Sequence, residues 1–583
     1  MNKLEIPMEH PRPAVFRKDW ESLNGIWQFA FDDQDKGLSE HWERKSLDAT
    51  IYVPYCYQSV RSGVCDQTYH PYVWYRRQLE FKESWRGKKV LLHFEGVDYQ
   101  YDLWINDAHI GHHCGGSVRS TFEISNWLHE GSNTICLRVA DEQDWSKPQG
   151  KQAPVSTVDR CWYTQTTGIW KSVWLEIVPE IYLSSIRITP DIDRREITLD
   201  LELNRHVVGT KIHIEVRYHN QLVCQKMLMP QAKRVLEPMS MEALDYVDEL
   251  HYWTPERPEL FDLYITVENS SGTYDFVQTY FGMRKIEARN GQIYLNNKPY
   301  YLRLVLDQGY WQDSLMTPPG NTSLKEDILL TKAFGFNGAR KHQKIEDERY
   351  YYWADQLGLL VWAEMPSSYE FCAHEVTSFM GEWVSVVTQL YNYPSIMTWV
   401  PFNESWGIRN VLFDSMQQNF AESAYHITKA LDSTRLVSTN DGWEQVTSDL
   451  CGIHDYYDNA ASFQKKYHDM DSLLQKDAQG RKIYAAGYSF CGQPIILSEY
   501  GGIACGQSQN GAWGYNQAAG SGVELLERIC NITVPILENK QIAGYCYTQL
   551  TDVMQEINGL ADANHRPKFD PAQGRKIFEK TIE

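Results

Sequence analysis

Apolar and polar residues alternate with period two through much of the first half of the chain. VWYRRQLEF (73–81), KVLLHFEGV (89–97), YDLWINDAHIG (101–111) and NTICLRVAD (133–141) each put their apolar side chains on one face. Gly, Asn, Asp and Ser turns separate them. Such segments read as half-buried strands, and over residues 1–180 they predict a β-sandwich. A second set follows over 181–284: SSIRITPDID, EITLDLELN, KIHIEVRYHN and LFDLYITVENS. Its size and strand spacing predict an immunoglobulin-like β-sandwich.

Near Lys285 the pattern changes. YYLRLVL (300–306) reads as a strand and SLKEDILLTKAFGF (323–336) as an amphipathic helix. GARKH (338–342), helical ERYYYWADQLG (348–358) and the strand LLVWAEMP (359–366) continue the alternation. IMTWVPFNE (396–404), a long helix near 410–430, RLVSTN (435–440), a short strand near 450–455, PIILSEYGG (494–502) and QIAGYCYTQLTD (541–552) complete it. About eight strands alternating with helices predict a (β/α)8 TIM barrel over 285–583. The fold class is therefore multidomain, β followed by α/β.

Composition narrows the function classes. The formal net charge of −20 repels a phosphate backbone or an anionic bilayer, so nucleic acid and membrane are not expected partners. MNKLEIPMEHPRP has no signal-peptide core, and no stretch has the apolar length of a membrane span. The twelve cysteines are scattered from Cys56 to Cys546 with no C-x-x-C pair, which fits reduced thiols in a cytoplasm. Asn403-Glu404-Ser405 is also a glycosylation sequon, and a glycan there would block any use of Glu404.

Barrel chemistry sits at the C-terminal ends of strands. Two carboxylates there end almost wholly apolar strands: Glu404 in FNESWG and Glu499 in IILSEYGG. Three strands apart, they would face each other across the barrel mouth as the acid and nucleophile of glycoside cleavage. The apolar strand before Glu404 is expected to help its carboxyl hold a proton. Asn403 is expected at the sugar 2-hydroxyl, and Tyr456 or Arg340 beside Glu499. Arg340 reads equally as a core ion pair, and Glu364 as a carboxylate supporting the site rather than a catalyst. His342 stands between a substrate contact and a packed core histidine, and Asp307 and Gln308 between hydroxyl recognition and loop anchoring. His112-His113-Cys114 reads as part of a turn with poor metal geometry, so no metal is expected. Gly487-Tyr488-Ser489-Phe490-Cys491-Gly492 misses the nucleophile-elbow spacing, which argues against a serine hydrolase.

These stretches together resemble glycoside hydrolase family 2, the β-galactosidase and β-glucuronidase family. PRPAVFRKDWESLNGIWQFAFDD, HFEGVDYQYDLWINDAHIGHHCGGSVRSTFEIS and TQTTGIWKSVWLE resemble its N-terminal sugar-binding jelly roll. FGMRKIEARNGQIYLNNKPYYLR resembles the opening of its barrel. The resemblance implies a retaining mechanism without a redox cofactor, with Glu404 as acid/base and Glu499 as nucleophile. It implies further substrate contacts from the aromatic after strand eight, here Tyr547, with Gln549 two residues on. It also implies that the loop carrying Trp162 reaches the barrel mouth, although core packing competes for that side chain.

Departures bear on the sugar. Where β-glucuronidases use Asn-x-Lys to hold a carboxylate, this chain has Glu556-Ile557-Asn558. That favours a neutral, galactose-like glycone, with Lys341 and Lys344 as the other candidate cations. The alternatives are a uronide, a furanoside, or a catalytically silent carbohydrate-binding protein. A small carbohydrate is the expected partner, with a homo-oligomer implied mildly by the family.

Overall fold

The computed structural model describes residues 4–153, 159–241, 251–268, 272, 274–475, 477–478, 481–506 and 511–580. Its first sandwich packs a four-stranded sheet (Ser120–Glu123, Lys89–Phe94, Val173–Val178, Trp20–Ser22) on a six-stranded one. The six run in the order Ala49–Val53, Gly25–Phe31, Tyr72–Glu80, Ser132–Ala140, Gln100–Ile105 and Ala108–Cys114. Trp27, Phe29, Tyr75, Leu92, Leu137 and Leu175 fill the space between the sheets. His112, His113 and Cys114 lie in the edge strand of this sheet rather than in a turn. Across a register shift at Gly111, His112, His113 and Cys114 pair with Asp102, Tyr101 and Gln100, and this pairing overrides the turn signal of the flanking glycines.

The second sandwich pairs a three-stranded with a five-stranded sheet around Leu199, Leu201, Ile214, Leu263 and Ile265. Glu196–Leu203 shows the alternation in full, every second side chain being buried. Positions 269–270, at the end of LFDLYITVENS, lie outside the described residues. Val15–Phe16 adds a strand to this second sandwich by pairing with Gln278 and Thr279, so the first segment of the chain ties two sandwiches together.

The barrel strands are β1 (Leu302–Asp307), β2 (Gly338–Lys341), β3 (Leu360–Glu364), β4 (Ile396–Val400), β5 (Leu436–Val437), β6 (Cys451–His454), β7 (Ile495–Gly501) and β8 (Ile542–Thr548). They form one parallel sheet in the order 5-4-3-2-1-8-7-6. Beyond Pro401, β4 resumes as Phe402–Asn403, which pairs with Asn440–Asp441 beyond β5. His454 N then donates to Gly442 O across the β5–β6 seam.

Two apolar layers follow from the pleat. Leu302, Leu304, Leu306, Leu360, Trp362, Ile496 and Cys546 point into the barrel, with Ile286, Ile293 and Leu295 of a small antiparallel sheet closing its N-terminal end. Val305, Ala339, Val361, Ala363, Leu497, Tyr545 and Tyr547 point outward onto the helices. Strands buried on both faces must be apolar throughout, which is why they read as continuous runs. A long helix at Ala373–Leu390, not anticipated individually from the sequence, packs Phe379, Trp383, Val386 and Val387 into the outer layer.

Candidate active site

Arg340, inward on β2 and fully buried, organises the barrel mouth. Its Nε donates to Glu364 Oε2 (2.6 Å), and its Nη1 reaches Asp441 Oδ2 (2.8 Å) and Glu499 Oε1 (3.0 Å). Its Nη2 donates to Asn403 Oδ1 (2.7 Å). Burial opposes a charged guanidinium, but Asp441, Glu364 and Glu499 outweigh it and hold Arg340 cationic. The two sequence readings of Arg340 thus coincide: it is a core ion pair that includes the candidate nucleophile.

A bulge aims Glu499. Leu497 pairs with Tyr545 and Tyr500 with Tyr547, so three steps on β7 match two on β8. Opposite β6, Ile496 pairs with Gly452 and Glu499 with His454, again three steps against two. The extra residue places both Ser498 and Glu499 between the outward Leu497 and Tyr500. Tyr456 completes the setting by donating its hydroxyl to Glu499 Oε2 at 2.5 Å, its ring stacked 3.7 Å from Tyr515.

Glu404 and Ser405 both adopt left-handed backbone, with φ 51° and 55°. That is unfavourable for side-chain-bearing residues and persists only where surroundings impose it. Glu404 N donates to Asp441 O, Ser405 N to Asn440 Oδ1 (2.9 Å), and Ser405 Oγ to Glu444 Oε2 (2.6 Å). His454 Nδ1 lies 2.8 Å from Glu404 Oε1 and 3.5 Å from Glu499 Oε2, and its Nε2 lies 3.0 Å from Asp441 Oδ2. Ligand-type atoms of Glu404, His454 and Glu499 lie within 4.8 Å of one another.

Burial would strip His454 of its proton, yet the charge of Glu499 and the hydrogen bonds to Asp441 and Glu404 raise its pKa to about 10. An imidazolium therefore fills the centre of the carboxylate cluster. Burial likewise raises the Glu404 carboxyl, but the His454 hydrogen bond and charge, with Lys151 and Arg340, bring it below the usual glutamate range. This corrects the expectation that burial keeps Glu404 protonated. In this arrangement the proton resides on His454.

The structure gathers Glu404, Glu499, Asn403, Arg340 and Tyr456, and gives a place among them to His454 and Asp441, polar strand-end residues to which the sequence assigned no role. Asn403 Nδ2 has no hydrogen-bond partner among the described residues. His342 Nδ1 is 3.1 Å from Glu364 Oε1, and burial together with the cations Lys151 and Arg340 keeps its ring neutral. A polar chain lines one wall: Gln308 Nε2 donates to Gln549 Oε1 (3.0 Å), Gln549 Nε2 to Asn558 Oδ1 (2.7 Å) and Asn558 Nδ2 to Glu556 Oε1 (3.0 Å). Tyr163, from the first sandwich, closes the chain on Glu556 Oε2. Trp162 is half-buried at the mouth, edge-on to Tyr369 and Trp406.

Two predicted site residues are elsewhere. Asp307 points outward, where it accepts from Lys341 Nζ (2.9 Å) and Gly309 N (2.8 Å). Tyr547 also points outward, its ring against Tyr500 and Phe578. Both positions follow the pleat: Leu306 and Cys546 take the inward places. The candidate cations Lys341 and Lys344 are committed too, sharing Glu346 Oε2 at 2.9 and 2.7 Å. Lys151, which no sequence motif marked, is a buried lysine whose charge acts on Glu556, Glu404 and Glu499.

A parallel barrel with paired carboxylates across its mouth, behind two β-sandwiches, is the architecture of a modular sugar-cleaving enzyme class. Comparison with known families agrees. Residues 20–179 match "Glycosyl hydrolases family 2, sugar binding domain", residues 181–284 "Glycosyl hydrolases family 2", and residues 286–521 "Glycosyl hydrolases family 2, TIM barrel domain". The chain belongs to glycoside hydrolase family 2.

Its relatives include a β-galactosidase of Photobacterium profundum, 25% identical over 68% of this chain and 41% of the relative. A β-glucuronidase of Sus scrofa is 23% identical over 85% of this chain and 80% of the relative. The chain spans less than half the length of several of these relatives, including the β-galactosidase. Among solved structures, a β-glucuronidase from an uncultured Clostridium superposes with a TM-score of 0.78 at 19% identity, covering 97% of this chain and 98% of that one. A Ruminococcus gnavus β-glucuronidase in complex with D-glucuronic acid superposes with the same score and coverage at 17% identity. At these identities the superpositions bear on the fold alone.

Proposed function

We propose that the protein is an exo-acting retaining β-glycosidase that removes a terminal neutral, galactose-like sugar. The observation that carries this is the Glu404–Glu499 pair, whose oxygens come within 4.8 Å around one imidazolium. Retaining enzymes place their carboxyl groups about 5–5.5 Å apart, whereas inversion needs about 6.5–9.5 Å to admit water. Glu499, oriented by Arg340 and Tyr456, attacks the anomeric carbon. The bond to the leaving oxygen breaks, and Glu404 delivers the proton to that oxygen. Water then gives a proton to Glu404 and its oxygen to the anomeric carbon, freeing Glu499.

The proton for the first step is stored on His454 and passes through Glu404, 2.8 Å away. Asn403, its Oδ1 held by Arg340, has its amide N–H left for the sugar 2-hydroxyl, whose hydrogen bonds strengthen in the transition state. The neutral glycone is supported by Glu556 and Asn558 on the wall, and by the commitment of Lys341 and Lys344 to Glu346. A nitrophenyl glycoside panel tests the reading. Faster cleavage of the β-galactoside than of uronides and furanosides, with net retention at the anomeric carbon, is expected. Inversion, or a uronide as best substrate, overturns the corresponding part.

A further inference from the structure

The described residues contain five buried lysines, and four of them have direct partners. Lys147 binds Asp141, Lys171 donates to Ser117 O (3.0 Å) and Glu346 O (3.3 Å), and Lys341 and Lys344 share Glu346. Lys151 is the exception. It is 7% exposed, and among the described residues its Nζ makes no hydrogen bond and no ion pair. Burial opposes its charge, but Cys161, Glu556, Glu404 and Glu499 outweigh burial and keep the ammonium cationic, with its donors committed to no described residue.

The backbone around Lys151 is built to hold it there. Gln149 N and Gly150 N both donate to Ser367 O (3.1 and 3.0 Å), and the Tyr369 hydroxyl donates to Gly150 O. Gly150 has φ +63°, and a Cβ there would lie 2.4 Å from Gln343 O, so this close approach to the barrel requires glycine. On the other side, Lys151 O accepts from Tyr163 N (2.9 Å), and Gln152 bonds both Asp98 (2.7 Å) and Thr166 N (2.6 Å). A segment of the first sandwich is thereby fastened over the barrel mouth. The Lys151 ammonium stands 6.0 Å from the centre of the Trp162 ring, within the electrostatic reach of Glu556, Glu404 and Glu499.

We propose that Lys151 is a specificity-determining residue whose ammonium donates a hydrogen bond to a hydroxyl group of a neutral glycone. This rests on the reading of the barrel mouth as a sugar site. A hydroxyl suits the place because it accepts from the ammonium and donates its own proton to a neighbouring acceptor. A substrate carboxylate would meet Glu556 and the Glu404–Glu499 pair, while the other cations there, Arg340 and His454, are already engaged by carboxylates. The same residue makes the glycone site a composite of the first sandwich and the barrel.

The test compares the full-length protein with Lys151→Met and Lys151→Gln. Met preserves the stem but removes a charge that Cys161, Glu556, Glu404 and Glu499 favour, so the melting temperature is expected to hold or fall slightly. Lys151→Met should lower kcat/KM on the β-galactoside by roughly 10- to 100-fold, the range for a hydrogen bond to a charged group. Against a series of monodeoxy galactosides, the wild type should be penalised at one position that the variant no longer distinguishes. Equal losses on every substrate, with all deoxy penalties retained, would show a structural role and overturn the proposal. A loss confined to uronides would also overturn it, by assigning Lys151 to a carboxylate. Calorimetric binding of galactose and its monodeoxy derivatives gives a second readout. Binding with the same single-position effect but no turnover in the wild type would sink the glycosidase reading and leave the Lys151 proposal standing. No binding and no turnover would sink both.

Discussion

Two buried ionic clusters lie back to back across β2. Inside the barrel, Arg340 gathers Glu364, Asp441, Glu499 and, through His454, Glu404. Outside it, Lys341 and Lys344 gather Asp307 and Glu346. Both are dense in charge and both are almost wholly removed from water. They differ in completeness. In the outer cluster the remaining donors of Lys344 are spent on Gly309 O and Met316 O, at 2.6 and 2.8 Å. Among the described residues, the inner cluster leaves Asn403 Nδ2 and the neighbouring Gln308 Oε1 without partners. It also contains the left-handed Glu404 and the bulge at Ser498–Glu499. Charge density does not separate a working site from a structural one here. Left-handed backbone does not separate them either, since Gln343, between Lys341 and Lys344, has φ 50° and Leu315, beside Met316, has φ 57°; unspent hydrogen-bonding capacity does.

The largest test of that contrast removes the candidate nucleophile. Glu499→Ala should cut turnover by roughly 10⁴- to 10⁶-fold, as loss of a covalent nucleophile does. Added azide should restore part of it by taking the vacated place at the anomeric carbon. Ordinary turnover in this variant would assign the chemistry to another residue. Next in size is a matched pair, Arg340→Met and Lys341→Met. Each strands buried carboxylates, so each should lower stability by about 3–5 kcal/mol in denaturant unfolding. Arg340→Met should also lower kcat by roughly 10²- to 10³-fold, through loss of preorganised charge at Glu499. The folded fraction of Lys341→Met should keep kcat within a few-fold, and a large fall there would mean that the outer cluster is coupled to the chemistry.

His454 gives a smaller but more diagnostic effect. Burial lowers its pKa, and Glu499, Asp441 and Glu404 reverse this to about 10, so the Glu404–His454 pair keeps one proton well into alkaline pH. In His454→Gln the proton has only the Glu404 carboxyl to occupy. The Glu404 pKa then rises, because its main cationic neighbour is gone, but it stays below that of the imidazolium. If the stored proton serves catalysis, the alkaline limb of kcat/KM moves to lower pH in the variant. An alkaline limb that moves upward would show that His454 only depresses Glu404 and holds no proton for the leaving group.

Much of the inner cluster was legible because strand ends carry function in this architecture. Glu404, Glu499, Arg340, Asn403 and Tyr456 were all found by asking which polar residues end apolar runs. The phase of each strand was not legible. A run buried on both faces shows no alternation, so nothing in RLVLDQ tells that Leu306 points in and Asp307 out. Nor does IILSEYG announce the bulge that turns Glu499 inward. Lys151 was hidden for another reason. Its segment resembles an ordinary polar loop, and only contacts with Ser367, Tyr369 and Gln343, far along the chain, give it a place at the mouth.

The finest distinction concerns two tyrosines that the sequence placed together. Tyr456 donates to Glu499 Oε2 at 2.5 Å, and its hydroxyl lies 3.3 Å from Thr548 Oγ1. Tyr456→Phe removes a hydrogen bond to a charged group and should lower kcat roughly 10- to 100-fold. The Tyr547 hydroxyl has no partner among the described residues, and its ring sits in the outer layer between Tyr500 and Phe578. Tyr547→Phe deletes a buried polar atom that makes no bond, so stability should rise by up to about 1 kcal/mol, or hold, while kcat and KM stay within two-fold. A Tyr547→Phe variant with a raised KM and unchanged stability would put its hydroxyl on the substrate. That result would contradict the outward phase of β8, and with it the pleat that separates the two clusters.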